Sequence, residues 1–326
     1  VSLLNPTQQS VLQDLLGLTA DGTASDPAQP RIEFPPIVKD ELREQLEDAL
    51  SEASKQIPDG QTVFVNKGLV TRIHSCEANY LWDRDENQFE WNERNARGTL
   101  THKALQILQS TADNKPVAPA DAVDLAVHQL SEQVHWQSGE PDSLAVWINE
   151  ANAAQLTDLR DSAIDMVTKF GEEFPPLAKQ WRARREASIT ATFCDNKVRI
   201  SGKMDLVLGS PKGLTARSLV IDFKTGMFRQ SNTDELRMYA LLETLRVGVP
   251  PWRIATYDLD QATWVAEDVT LDVLQSAVRR TSAAIIKLIG LNFDHRAPTE
   301  TAGPSCTFCG RFDKCETGQR ARQDQD

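Results

Sequence analysis

Two charges interrupt an apolar run at "VIDFKTG", residues 220 to 226, where Asp222 and Lys224 stand on either side of Phe223. Strand side chains point alternately to opposite faces, so Leu219, Ile221 and Phe223 share one face and Asp222 and Lys224 the other. An acid also interrupts the preceding run "KVRISGKMDLVLG" (197 to 209). There Val198, Ile200, Met204, Leu206 and Leu208 share parity and leave Asp205 on the opposite face, beside Lys203 and Val207. Paired as a hairpin, the two runs bring Asp205 and Asp222 within reach of one cation. Mg²⁺ binds through one or two carboxylates, with water and phosphate completing its shell, so two acids and a phosphodiester are a chemically sufficient set. Lys224, on the same face, would orient the attacking water or neutralise charge developing on the phosphate. A lone D-x-K also describes the solvent face of an exposed strand, and convergence with other groups is what separates the two readings.

Further candidates lie on helices. In "RNARGTLTHKALQIL", Ala96, Leu100, Ala104, Ile107 and Leu108 form a core stripe; His102 lies off it, and Gly98, one turn earlier, leaves room for close approach. A lone helical histidine is commonly a surface residue, but a neutral imidazole can complete a metal site and widen its tolerance towards Mn²⁺. Glu235 and Tyr239 are four apart and stack on one helix face. Glu235 also fits a helix-start box begun by Asn232, and Tyr239 fits amphipathic packing. Near the C-terminus "CTFCGRFDKC" spaces Cys306, Cys309 and Cys315 as C-x2-C-x5-C, which favours metal ligation over disulfides in a reducing compartment. A cluster or a tetrahedral zinc needs a fourth ligand. Cys76 is the expected one, because Cys194 ends a strand, where a small buried side chain is the ordinary expectation. His74 is read as structural.

These residues need elements to position them. Residues 3 to 17 read as a helix, 19 to 30 as a polar linker and 38 to 57 as a charged amphipathic helix. A helix covers 92 to 110, and two or three more occupy the Ala-rich stretch 118 to 178. The pattern then turns to strands at 188–194, 197–209, 218–226, 253–260 and 263–269, with a helix at 232–248 between the third and fourth and another at 271–290. The implied architecture is α/β, a mixed sheet with helices packed on it. "LNPTQQ" (4 to 9) reads as a helix start with Asn5 ahead of Pro6.

The 326 residues carry 35 Lys and Arg against 47 Asp and Glu, a net charge of -12, so the overall field repels polyanions and argues against a nucleic-acid-coating role. A cluster of carboxylates awaiting metal is itself acidic, however, and the basic run "WRARRE" (181 to 186) reads either as a local phosphate track or as an exposed helix face. No apolar run reaches the ~20 residues a bilayer requires, and the N-terminal stretch lacks a signal-peptide pattern, so a cytoplasmic location is the default expectation. No G-x4-G-K-S/T loop is present, which argues against a built-in ATP motor and leaves a helicase as a partner in trans. No flavin or nicotinamide fingerprint accompanies the cysteines, which argues against a redox protein.

Taken together, the set resembles the RecB-like branch of the PD-(D/E)XK nucleases, especially its iron-sulfur members, the CRISPR-associated exonucleases and AddB-type nuclease domains. The family order is a cysteine, then G-x3-H on a helix, G-x2-D on a strand, D-x-K-T-G, Q-L-x2-Y and three clustered cysteines. Its counterparts here are Cys76, Gly98 to His102, Gly202 to Asp205, "DFKTG", Glu235-Leu236 with Tyr239, and Cys306, Cys309 and Cys315. Glu235 departs from the family's glutamine. The N-terminal helical annex over 1–60, the helical insertion at about 112–185 and the polar tail over 316–326 are read from the sequence pattern and not explained by the motifs. The resemblance runs from about Leu69 to Cys315 and implies a restriction-endonuclease-like core in a domain read as 61–315. It also implies a catalytic set of Asp205, Asp222, Lys224, His102, Tyr239 and Glu235, with Mg²⁺ or Mn²⁺ on His102, Asp205 and Asp222. Cys76, Cys306, Cys309 and Cys315 would hold a [4Fe-4S] cluster, with zinc as the alternative because Cys₄ is also a structural zinc set. The implied activity is hydrolysis of DNA, single-stranded or at ends, in repair, recombination or defence; the alternative is a nuclease-fold subunit that binds DNA without cutting.

Overall fold

The computed structural model describes residues 4–18, 31–86, 90–111, 117–135, 139–140, 142–226 and 229–323. Asn5 starts the first helix, α1 (Pro6–Ser10), by accepting from the Gln8 backbone N–H while the Gln8 side chain accepts from its own. The helix continues as a π turn over Val11–Leu15 and stops at Gly17, whose φ of 59° suits glycine. The expected helix over 3–17 is therefore shorter, and the linker 19–30 lies outside the described residues. Helix α2 (Val38–Ser54) buries Val38, Leu42, Leu46 and Leu50, one residue per turn, against later helices.

A three-residue strand, β1 (Val63–Val65), leads into α3 (Lys67–Ser75), α4 (Glu77–Glu86) and α5 (Glu93–Thr111). The Ala-rich stretch supplies α6 (Pro119–Ser131), α7 (Ser143–Glu150) and α8 (Ala153–Glu173). The sheet strands follow as β2 (Arg184–Phe193), β3 (Val198–Leu208) and β4 (Leu219–Lys224), then α9 (Gln230–Val247), β5 (Arg253–Asp258) and β6 (Thr263–Asp268). Helix α10 (Leu271–Asn292), two short 3₁₀ turns and α11 (Glu316–Gln323) close the chain, the last in the segment expected as a polar tail. No helix among the described residues is long and apolar enough to cross a membrane.

The sheet is mixed. β3 pairs antiparallel with β2 and β4, β5 antiparallel with β6, β1 parallel with β3, and β4 parallel with β5 through the α9 crossover. β4 is buried from Leu219 to Phe223, as a central strand covered on both faces must be. On its Phe223 side, Phe170 of α8 meets Phe223 and Tyr257 edge-on, with Phe174 stacked on Phe170. On the other side α9 packs on β4, β5 and β2, backed by α10, α2 and α3. The apolar side chains of both layers, those of the π turn Val11–Leu15 and of α2 included, belong to one continuous core.

Two details set up the site. β2 begins at Arg184, so the basic run 181–186 is not a helix face: Arg184 pairs with the buried Glu243. β3 shares one edge between two partners, β1 at Val198–Ile200 and β4 at Leu206–Leu208, leaving Ser201 to Asp205 between them without a strand on that side. Functional side chains gather at this opening.

Candidate active site

Asp205 sits where the β3–β4 ladder ends. The last backbone pair is Leu206 with Ile221, and beyond it the Asp205 carboxylate, not a backbone carbonyl, accepts the Phe223 N–H at 2.7 Å. The same register places Asp222 across from Asp205 on the same sheet face, as strand parity requires. Asp222 is only 3% exposed and is clamped by two ammonium groups, Lys67 Nζ on Oδ1 at 2.5 Å and Lys224 Nζ on Oδ2 at 2.8 Å. Burial would raise its carboxyl pKa, but Lys67 and Lys224 overcome that and hold it below the usual carboxylate range. For Lys67, burial would lower the ammonium pKa, yet Asp222, with Tyr239 and Glu235, holds it far above the ordinary lysine value. Glu235 closes the network, 3.3 Å from Lys224 and 3.6 Å from Lys67, with Thr71 donating to it at 3.4 Å. The helix-start role expected for Asn232 and Glu235 is not what they adopt. α9 starts two residues earlier, after Arg229, and Glu235 is thereby free to face the lysines.

His102 reaches the opening from α5, its Nδ1 3.4 Å from Asp205 Oδ1. Burial would lower its imidazole pKa, but Asp205, followed by Asp222 and Glu186, raises it above the ordinary value. Glu186, absent from the sequence reading, is the third member. It lies on β2 between Arg185 and Ala187, which pair with Leu206 and Met204, and so stands across from Asp205. Among the described residues, His102, Glu186 and Asp205 are the one group of three potential metal ligands whose donor atoms all fall within 4.8 Å of one another. Asp222 stands outside this group. Lys203 forms an ion pair with Glu186 at its rim.

Two glycines make the arrangement possible. A Cβ on Gly98 would lie 3.2 Å from Thr225 Oγ1, where α5 crosses the end of β4 and Arg97 donates to the Thr225 carbonyl. A Cβ on Gly202 would lie 2.4 Å from Tyr239 Cε1, inside its ring contact. The Tyr239 hydroxyl donates to the Lys203 carbonyl at 2.8 Å, satisfying an acceptor in the stretch of β3 that has no neighbour strand on that side. Tyr239 therefore props the opening, with Lys67 lying 5.0 Å over its ring. The site faces a groove of about 1230 Å³, lined by Lys67, Gly98, His102, Glu186, Gly202 and Asp205 among others.

Cys76, Cys306, Cys309 and Cys315 line one separate small cavity. Backbone N–H groups of Thr301, Gly303 and Gly318 point at the sulfurs of Cys76, Cys306 and Cys315 at 3.4–3.5 Å, and the Cys309 thiol donates to Asn79 at 2.9 Å. No three of these sulfurs meet the 4.8 Å criterion that the histidine–carboxylate group meets. Burial, reinforced by Cys76 and Cys306, pushes the Cys309 thiol pKa up despite an opposing Arg311 N–H. Cys194 lies elsewhere, in the turn after β2, with its N–H on Glu47 at 2.7 Å. His74 Nε2 donates to the Arg280 carbonyl, 2.9 Å away. Glu77, beside Cys76, ties α4 to the C-terminal segment through Lys287, Arg296 and the Thr299 N–H.

The model of the PD-(D/E)XK nuclease superfamily matches residues 70–316, and the chain belongs to that superfamily. Among solved structures, an exonuclease-named protein of Eubacterium rectale is similar at 12% identity and a TM-score of 0.45, over 77% of this chain and 87% of that one. The protein SSO0001 is similar at 14% identity and a TM-score of 0.36, over 87% of this chain and 98% of that one. No curated protein sequence matches.

Proposed function

We propose that the protein is a divalent-metal-dependent deoxyribonuclease acting on single-stranded DNA or DNA ends. The observation that carries this reading is the meeting of His102, Glu186 and Asp205 within 4.8 Å, beside an Asp222–Lys224 pair at an open groove. One imidazole nitrogen and two carboxylates are donors suited to Mg²⁺ or Mn²⁺. A divalent cation there supplies Lewis-acid stabilisation of phosphate oxygens and lowers the pKa of a water.

The chain's own groups do the rest. Hydrolysis forms a P–O bond to the water oxygen and breaks the ester P–O bond in line with it. Lys224, held by Asp222 and Glu235, puts a fixed positive charge where the phosphate gains negative charge. Asp222 orients Lys224, and beside His102, Glu186 and Asp205 its carboxylate would be a further oxygen donor for a divalent cation. Tyr239 and Gly202 keep the β3 opening clear, and Glu235 occupies the place of the family's glutamine as an anchor for both lysines.

The cysteine cavity fits a [4Fe-4S] cluster better than a single zinc. Zn–S bonds of about 2.3 Å in a tetrahedron hold sulfurs about 3.8 Å apart, whereas no three sulfurs here come within 4.8 Å of one another. Backbone N–H groups directed at sulfur are also what tunes and stabilises such clusters. The cluster's role is structural, tying α4 to the C-terminal segment; a helicase acting in trans would supply opened strands.

The test is cleavage of labelled single- and double-stranded DNA with Mg²⁺ or Mn²⁺ by the wild type and by Asp222→Ala. Products with the wild type alone are expected. Equal products from both would overturn the reading, and DNA binding without products from the wild type would favour a non-cutting subunit.

A further inference from the structure

A second cavity, of about 380 Å³, opens on the other side of Gly98 from the main groove. The two share Asn95 and Gly98, so a strand lying in the groove can continue past the glycine into this cavity. Its walls come from the start of α5 and the start of α9, with Lys224 and Thr225 between them, and no carboxylate among the described residues lines it. In a chain of net charge -12, a cavity edged by Arg94, Arg229 and Lys224 alone among charged groups is a marked local reversal.

Three further observations point to an anion. Arg94 and Arg229 make no ion pair or hydrogen bond through their side chains with the described residues, whereas most arginines on neighbouring elements, Arg97, Arg237 and Arg280 among them, do. The first turn of the 18-residue α9 carries no side-chain cap, although the Asn232 N–H is taken by the Arg229 carbonyl at 2.9 Å, and Arg229 and Asn232 of this positive helix end line the cavity. Asn232 lines the cavity and is only 8% exposed, so its side chain is held in the cavity wall, where an amide can serve an anion. Forked guanidinium donors, an amide and a helix N-terminus are a phosphate-binding set.

Building on the nuclease reading, we infer that this cavity is a phosphate subsite, holding the phosphate of the nucleic-acid strand next to the one being hydrolysed. The same chemistry accepts either an internal phosphodiester or a terminal phosphate monoester. Lys224 faces both the subsite and Asp222, so occupancy fixes the register of the strand over the reacting centre.

The experiment compares the wild type, Asn232→Ala, and the double variant Arg94→Gln with Arg229→Gln. As a charge-matched control, Lys212→Gln with Arg322→Gln removes two cations from other surfaces. Binding of labelled 12-nucleotide DNA bearing a 5′-phosphate, a 3′-phosphate or hydroxyl ends is measured in EDTA as a function of salt, with unfolding midpoints as a check on folding. The double variant should bind about tenfold more weakly for each guanidinium lost, with the salt slope reduced by about 0.7 per phosphate contact. The control should bind like the wild type. Equal loss on all three DNAs assigns a backbone phosphate, and loss confined to one phosphorylated end assigns a terminal monoester. Wild-type affinity and slope in the double variant, or the same loss in the control, would overturn the subsite. If the wild type cleaves DNA and the double variant binds normally, only the subsite fails. If the double variant loses binding while the wild type cleaves nothing, only the nuclease reading fails.

Discussion

The carboxylate–lysine opening and the cysteine cavity both hold reactive side chains in place, in opposite ways. At the opening, charge holds charge: Asp222 is saturated by Lys67 and Lys224, and both lysines share Glu235. In the cavity the groups are thiols, and backbone N–H groups and an asparagine hold them. The first is assembled from neighbouring strands and two helices at the sheet. The second joins Cys76 to a segment roughly 230 residues later, so its value is that of a closed long loop. The opening thus gathers paired charges on one face of the sheet, whereas the cavity links parts of the chain that are distant in sequence.

Substitutions should therefore separate the two regions. Lys224→Ala should lower the cleavage rate by a factor on the order of 10²–10³ while leaving the visible spectrum unchanged, because the charge it removes holds Asp222 and faces the reacting phosphate and does not line the cysteine cavity. Cys306→Ser should do the reverse in kind. Anaerobically purified protein should lose its brown colour and about 3 kcal/mol of stability, the scale on which a tie closing a long loop acts. Denaturant unfolding would record that loss, and an unchanged midpoint would remove the connecting role. Gly202→Ala should cost about 2 kcal/mol by driving a methyl into the Tyr239 ring, with the cysteine cavity intact by spectrum. Glu186→Gln should weaken Mn²⁺ binding about tenfold by calorimetry, again without touching the colour.

Much of the opening was legible in the sequence because strand parity is local. The alternation around Phe223 and around Met204 put Asp205, Asp222 and Lys224 on one face, and the register agrees. The residues missed are those whose partners are distant or whose local pattern misleads. Lys67 meets Asp222 across 155 positions, from the first residue of α3, after a strand too short to display alternation. Glu186 was hidden because the run "WRARRE" reads as a basic face, and its φ of 49° departs from a regular strand. Here Asp205 on β3, across the register, is the signal, and it appears only once β2 is extended back to Arg184. Asn232 and Glu235 matched a helix-start pattern, but packing of the β4–α9 crossover starts the helix earlier. Cys76, Cys306, Cys309 and Cys315 line one cavity, which joins residues about 230 positions apart, a distance over which no local pattern reports.

The central claim is that His102, Glu186 and Asp205 hold the cation that the cleavage reaction uses. Its most direct test is a paired measurement on Asp205→Asn, Mn²⁺ binding by calorimetry beside cleavage of labelled single-stranded DNA. The account predicts that binding and cleavage are lost together, with folding and the visible spectrum retained. Full cleavage by a variant that no longer binds Mn²⁺, or unaltered Mn²⁺ binding in a protein that no longer cuts, would contradict it.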